Sequence, residues 1–227
     1  MSVLTRQTDD WLLWQLADSA FPTGGFAHSG GLEAAWQQGE VNSREGMASF
    51  IRTSLIQLGN SSIPFVAEAH REPDRLGELD LLCDRFLTNH VTNHASRSQG
   101  QALLVAVERT FPLPVLVGLR STVLDRNLPG HLAPVFGVMT HHLKIDVDSA
   151  VRLFLFLALR GSIASAVRLG ILGPMEGQAL QFRLAPEAEG VASRCADIPT
   201  TKIAQTAPLL EIFHGAHDRL YSRLFQT

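Results

Sequence analysis

With 227 residues, 45% of them hydrophobic and 18% charged, the chain is long enough for one sizeable domain with a real core and lies outside the composition of disordered proteins. A formal net charge of −3 offers no basic face, so nucleic acid is not expected as a partner. Cys83 and Cys195 lie far apart with no CxxC spacing, which points to reduced thiols in a cytoplasmic protein rather than to a disulfide framework or a zinc knuckle.

The first residues, MSVLTRQTDD, lack the apolar stretch of a secretory signal. From there Leu12, Leu13, Leu16, Ala17 and Ala20 recur at helical spacing, and the helix should end near Ala20 because Pro22 pushes its predecessor out of the α region. Thr23, Gly24 and Gly25 allow left-handed backbone, and Phe26 and His28 punctuate that loop with a large ring and an imidazole. Ser29 is placed to cap a helix carrying Leu32, Ala35 and Trp36, which Gly39 would end. Asn42 with Glu45 reads as a capping box before Met47, Phe50, Ile51, Leu55 and Leu58.

A short helix should follow Pro64. Pro73 and Asp74 open a longer one whose buried face is Leu76, Leu79, Cys83, Phe86, Leu87 and Val91. The polar stretch 93–99 and the apolar stretch 100–107 form either one long helix or two meeting near Gly100. FPLPVLVGLR is read as helix, since no strand of similar quality exists to pair with it. Helices are expected over Leu132 to Leu143 and Val147 to Leu172. The second is apolar almost all round but carries Arg152, Arg160 and Arg168, which argues for a central core helix and against a membrane span of about 20 predominantly apolar residues. Pro174 restarts the chain as helix to about Leu184, residues 186–199 read as a loop, and Thr200 to Arg219 as a last helix nicked at Pro208. The fold class is all-α, a single-domain helical bundle of about eight to ten helices spanning residues 1–227.

Catalytic chemistry finds little support. There is no GxSxG, no SxxK and no phosphate-binding GxxxxGK. His90 and His94 stand four apart along the apolar stripe of a helix, a spacing that lets two imidazoles share a metal, but no third ligand can be assigned. The alternative functions this leaves are a metal-dependent hydrolase using His90 and His94, or a divergent helical protein-binding module. His141 and His142 point to different faces and read as surface residues, and His214 with His217 offers at most a weak metal contact. No metal ligand, catalytic residue or cofactor is assigned.

The stretch LLWQLADSAFPTGGFAHSGGLEAA closely resembles the N-terminal signature of the urease accessory protein UreF family in its plant-like form, with Pro22, Gly24, Gly25, Phe26, His28 and Glu33 as the motif positions. SIASAVRLGILGPMEGQ resembles the family's internal motif at Arg168, Gly173, Pro174 and Gln178, and HDRLYSRLFQT its terminal motif. Where many members carry an Arg-Glu pair, this chain has Asn93 and His94 ahead of Ser96, Arg97 and Gly100. The resemblance implies a non-catalytic, all-helical, homodimeric scaffold that binds the accessory protein UreD (also called UreH), recruits the nickel-carrying GTPase UreG and assists nickel delivery to the urease apoprotein. Nickel would be handled by that complex, without a firm site in this chain, and no membrane is implied.

Residues 220–227 are then expected to form a partner-binding tail through Tyr221, Ser222, Arg223, Leu224 and Phe225, with Arg168 and Gln178 as further contact positions. Burying Leu224 and Phe225 would contribute about 1.5–3 kcal/mol each, which water forfeits. That tail therefore either docks on its own core or waits for another protein.

Overall fold

Among the described residues every regular element is a helix and there is no strand. The computed structural model describes residues 3–226, with side chains from Asp10 onward. Met1, Ser2 and Thr227, the ends of the expected domain and tail, lie outside the described residues, as do the side chains behind the reading of MSVLTRQTDD.

The helices in chain order are α1 (Val3–Ala17), α2 (Leu32–Gln37), α3 (Arg44–Ser61), α4 (Ile63–Arg71), α5 (Leu76–Phe86), α6 (His90–Thr110), α7 (Pro114–Asp125), α8 (Leu132–His142), α9 (Val147–Arg168), α10 (Pro174–Cys195) and α11 (Pro208–Ala216). Their apolar faces share one core cluster that runs from Leu16 through Ile51, Phe65, Leu104 and Leu155 to Leu210. α4 packs most closely on α8, because Gly137 lets the two backbones meet: a Cβ there would overlap the Val66 carbonyl. α9 is long and apolar enough to cross a membrane by length and composition. It packs instead against α10, α4, α3 and α1, the central place its composition suggested.

Several boundaries depart from the sequence reading. α1 stops at Ala17, three residues early, because the Asp18 side chain accepts the Ala20 N–H (2.7 Å) and the Asp18 carbonyl accepts the Phe21 N–H (3.2 Å), forming a turn. Ser29 does not cap α2. Gly31, left-handed at φ 79°, precedes the helix, and the buried Ser29 Oγ has no partner among the described residues. Ser43, one residue after Asn42, caps α3 by accepting from Gly46 N (3.0 Å). The long helix expected through Val91 breaks after Phe86, because Asn89 Oδ1 accepts from Val91 N and starts α6 afresh (3.0 Å). α6 then runs unbroken through Gly100, whose missing Cβ makes room for the Gly130 carbonyl oxygen.

The larger corrections are near the C-terminus. The expected loop at 186–199 is helical as far as Cys195, with Pro186 inside α10. An interior proline costs about 3 kcal/mol. Ion pairs from Arg52 to Glu187 and Arg152 to Glu189, with burial of Val191, Ala192 and Cys195, hold the helix through it. Conversely, the single helix expected over 200–219 is interrupted. Gln57 Oε1 accepts from Thr206 N (2.6 Å) and Ala207 N (2.9 Å), so a side chain from α3 takes the bonds that helix would have used, and α11 begins at Pro208.

Candidate functional site

Gly30 and Gly31, both left-handed at φ 61° and 79°, turn the chain into α2 so that Glu33 in its first turn faces inward at 2% exposure. A buried carboxylate has to be supplied with donors. Here they come from the far end of the chain: Leu224 N (2.6 Å), Phe225 N (3.2 Å) and His217 Nε2 (3.1 Å). Gln226 N donates to Ala27 O (2.8 Å) and Gln37 Nε2 to Ser222 O (3.0 Å).

Arg168, at the end of α9, closes the arrangement. Its guanidinium lies 3.8 Å from the Phe26 ring centroid and 4.3 Å from that of Phe225, and Nη1 donates to Phe26 O (2.6 Å). Such stacking contributes about 0.5–2 kcal/mol. The three stretches singled out in the sequence, at 22–33, 168 and 221–225, therefore meet at one corner of the fold. Phe225 is 5% exposed, so the terminal ring docks on its own chain, whereas Tyr221 is fully exposed and Leu224 is 52% exposed. Ser222 and Arg223 also face outward, the latter 3.6 Å from Asp218. Gln178 stands exposed on α10 and joins none of these contacts.

The motif loop also forms one lip of a cleft of about 490 Å³ between α6 and α9. Pro22, Gly24, Gly25, Phe26 and His28 line it on one side and Arg160 and Arg168 on another. Gly24 is left-handed at φ 74°. Burial pushes the His28 imidazole below its ordinary value, and the neighbouring His94 and His217 push it the same way.

The other histidine pairs resolve separately. His90 and His94 are exposed and lie off the apolar stripe of α6, which is formed by Val91, Leu103, Leu104 and Val107. His90 Nε2 donates to Asp218 Oδ2 (2.7 Å), while His94 Nε2 is 3.5 Å from Ser98 Oγ. Among the described residues no group of three or more His, Cys, Asp or Glu side chains is placed to hold a metal. His141 is half-buried rather than on the surface, because its Nδ1 donates to His70 O (2.7 Å). His214 bonds Thr92 Oγ1 (3.0 Å) while the fully buried His217 serves Glu33, so that pair is split.

A second buried corner was missed by sequence reasoning. Asp80 is fully buried and accepts from Gly130 N and His131 N, both at 2.7 Å. His131, also fully buried, reaches Asp84 Oδ1 through Nε2 (3.0 Å) and Ser96 Oγ through Nδ1 (3.1 Å). Burial raises the Asp80 carboxyl and lowers the His131 imidazole. Ser96 and Gly100 were visible as family positions, but nothing local pairs them with residues 130–131.

The sequence model of the UreF family matches residues 41–185. Over 221 residues the chain is 39% identical to the urease accessory protein F of rice (Oryza sativa subsp. japonica), covering 96% of this chain and 85% of that one. The chain belongs to the UreF family. The urease accessory protein F of Arabidopsis thaliana is 39% identical over 95% of this chain and 91% of its own. UreF of Bacillus sp. TB-90 is 28% identical over 95% and 97%. These alignments run through nearly the whole chain, whereas the family model takes in Arg168 and stops short of both the motif loop and the tail. Membership carries a general role in urease maturation.

Proposed function

We propose that this chain is a non-catalytic scaffold of nickel insertion, working in the cytoplasm as a homodimer that binds UreD, recruits UreG and presents the assembly to the urease apoprotein. The observation that carries this reading is the corner around Glu33. It fixes the last residues on the fold while leaving Tyr221 and Leu224 outward, an aromatic and an aliphatic side chain of the kind that anchors interfaces. Phe225, Glu33 and Arg168 would position that surface, and Tyr221, Ser222, Arg223 and Leu224 would touch the partner. The motif loop at Gly24 to His28 forms its neighbouring edge, and Gln178 a separate contact. Nickel passes through the complex without a resident site here.

The test is co-purification with UreD of a Tyr221→Ala, Leu224→Ala double variant. Both side chains are exposed, so the fold should persist with an unchanged unfolding temperature while the complex is lost. Retained complex formation would refute the assignment. A metal hydrolase built on His90 and His94 would instead copurify with stoichiometric tightly bound metal, and the engagement of His90 with Asp218 argues against it.

A further inference from the structure

Among the described residues the lining of the cleft contains no aspartate, glutamate or cysteine, yet it contains two arginines. Arg160 and Arg168 stand eight residues apart on α9, two helical turns or about 12 Å. Neither has a carboxylate within ion-pair distance among the described residues, unlike Arg44, Arg52, Arg71, Arg75, Arg120, Arg152 and Arg223. Arg160 donates to the Ala17 carbonyl and lies 6.0 Å from the Phe156 ring, and burial lowers its pKa. Among the described residues Arg168 hydrogen-bonds only the Phe26 carbonyl, between its two rings. Both guanidiniums are thus held mainly by carbonyl dipoles and π faces, and the one carboxylate that acts on Arg160, Asp18, does so from beyond ion-pair distance.

Between them α9 contributes small residues, Gly161, Ala164 and Ser165, as a floor, and a Cβ at Gly161 would meet nothing within 4 Å. The walls are mainly apolar, with Phe21, Leu58, Val91, Phe136, Phe154 and Leu157, and carry neutral polar side chains such as Thr92 and Gln99 among them. The volume of about 490 Å³ falls in the range of small-molecule sites, which run from about 300 to 1,000 Å³. Among the described residues a divalent cation finds no thiolate or carboxylate there, only the imidazoles of His28 and His214, and meets two like charges.

We infer that this cleft binds an anionic amphiphile, a carboxylate carried on an apolar chain, with the head group at Arg160 or Arg168 and the chain over the floor of α9. The site shares Arg168 with the tail corner, but Arg160 and Gly161 take no part in that corner, so variants at these two residues test the cleft separately from the UreD reading.

The experiment is calorimetric titration of the full chain with dodecanoate below its micellar concentration, and with dodecyltrimethylammonium as a cation of matched chain length. Dodecanoate should bind saturably at one equivalent, and the cation weaker by about tenfold or more, the size expected for a hydrogen bond to a charged group. Arg160→Met should weaken dodecanoate by a similar factor. Gly161→Leu, which fills open space, should block it with the helical signal and unfolding temperature retained. The proposal is overturned if dodecanoate does not saturate, if the cation binds equally well, or if a folded Gly161→Leu protein binds dodecanoate as the parent does.

Discussion

Two buried carboxylates, Glu33 and Asp80, do the same local chemistry with different consequences. Each accepts two consecutive backbone N–H groups, from Leu224 and Phe225 in one case and from Gly130 and His131 in the other, and each lies in a corner with a fully buried histidine. Asp80 holds the α7–α8 loop against α5 and α6, in the middle of the core. If it lets go, the seat of α8 goes with it. Glu33 holds Leu224 and Phe225, near the end of the described residues, so among these its opening frees a short segment. A hydrogen-bonded anchor reports global stability or local release according to what is attached beyond it.

The comparison can be broken from the Asp80 side first. Asp80→Ala strands two buried N–H groups at about 1–3 kcal/mol each, so urea unfolding should show a loss of several kcal/mol. A near-native midpoint would show that this corner bears little of the fold. Glu33→Gln removes one of two accepting oxygens and should cost about 1–2 kcal/mol, confined to the tail. Amide exchange at residues 222–226 should quicken strongly while the unfolding temperature hardly moves. Global destabilisation equal to that of Asp80→Ala would erase the distinction. Arg168→Gln removes the guanidinium stacked on Phe26 and Phe225, a change of about 0.5–2 kcal/mol, again read as faster exchange in the tail and motif loop.

The smallest effect is in pH. Burial lowers the His131 imidazole, with Arg97 acting the same way and Asp80 and Asp84 opposing. Below the ordinary value of 6.5 the unfolded chain then takes up a proton that the folded chain resists. Stability from this group is fully present above that value and declines as pH falls through the lowered one. Unfolding free energy should therefore drop on acidification from that point, with a shallower slope in His131→Asn and the parent slope in Glu33→Gln.

What the sequence made legible was whatever depends on near neighbours. The apolar stripes of α3, α8 and α9 follow from residues three and four apart, and Gly39 ends its helix in the left-handed region, φ 79°, as expected. Pro186 misled because ion pairs to α3 and α9 decide that segment. The helix expected from Thr200 was lost to Gln57, 149 residues away in sequence from Thr206. Both carboxylate corners close over long separations, 191 residues from Glu33 to Leu224 and 50 from Asp80 to Gly130, beyond any local periodicity. Family resemblance marked Phe26, Glu33, Arg168 and Phe225 individually. Only the folded chain shows that they touch, and that Phe225 is turned inward while Tyr221 is not.

The most direct test of the scaffold reading is the amount of UreD retained by the Tyr221→Ala, Leu224→Ala variant in a co-purification where the parent chain retains it in stoichiometric amount. Loss of UreD with an unchanged unfolding temperature is the predicted result; UreD bound as tightly as by the parent would contradict it.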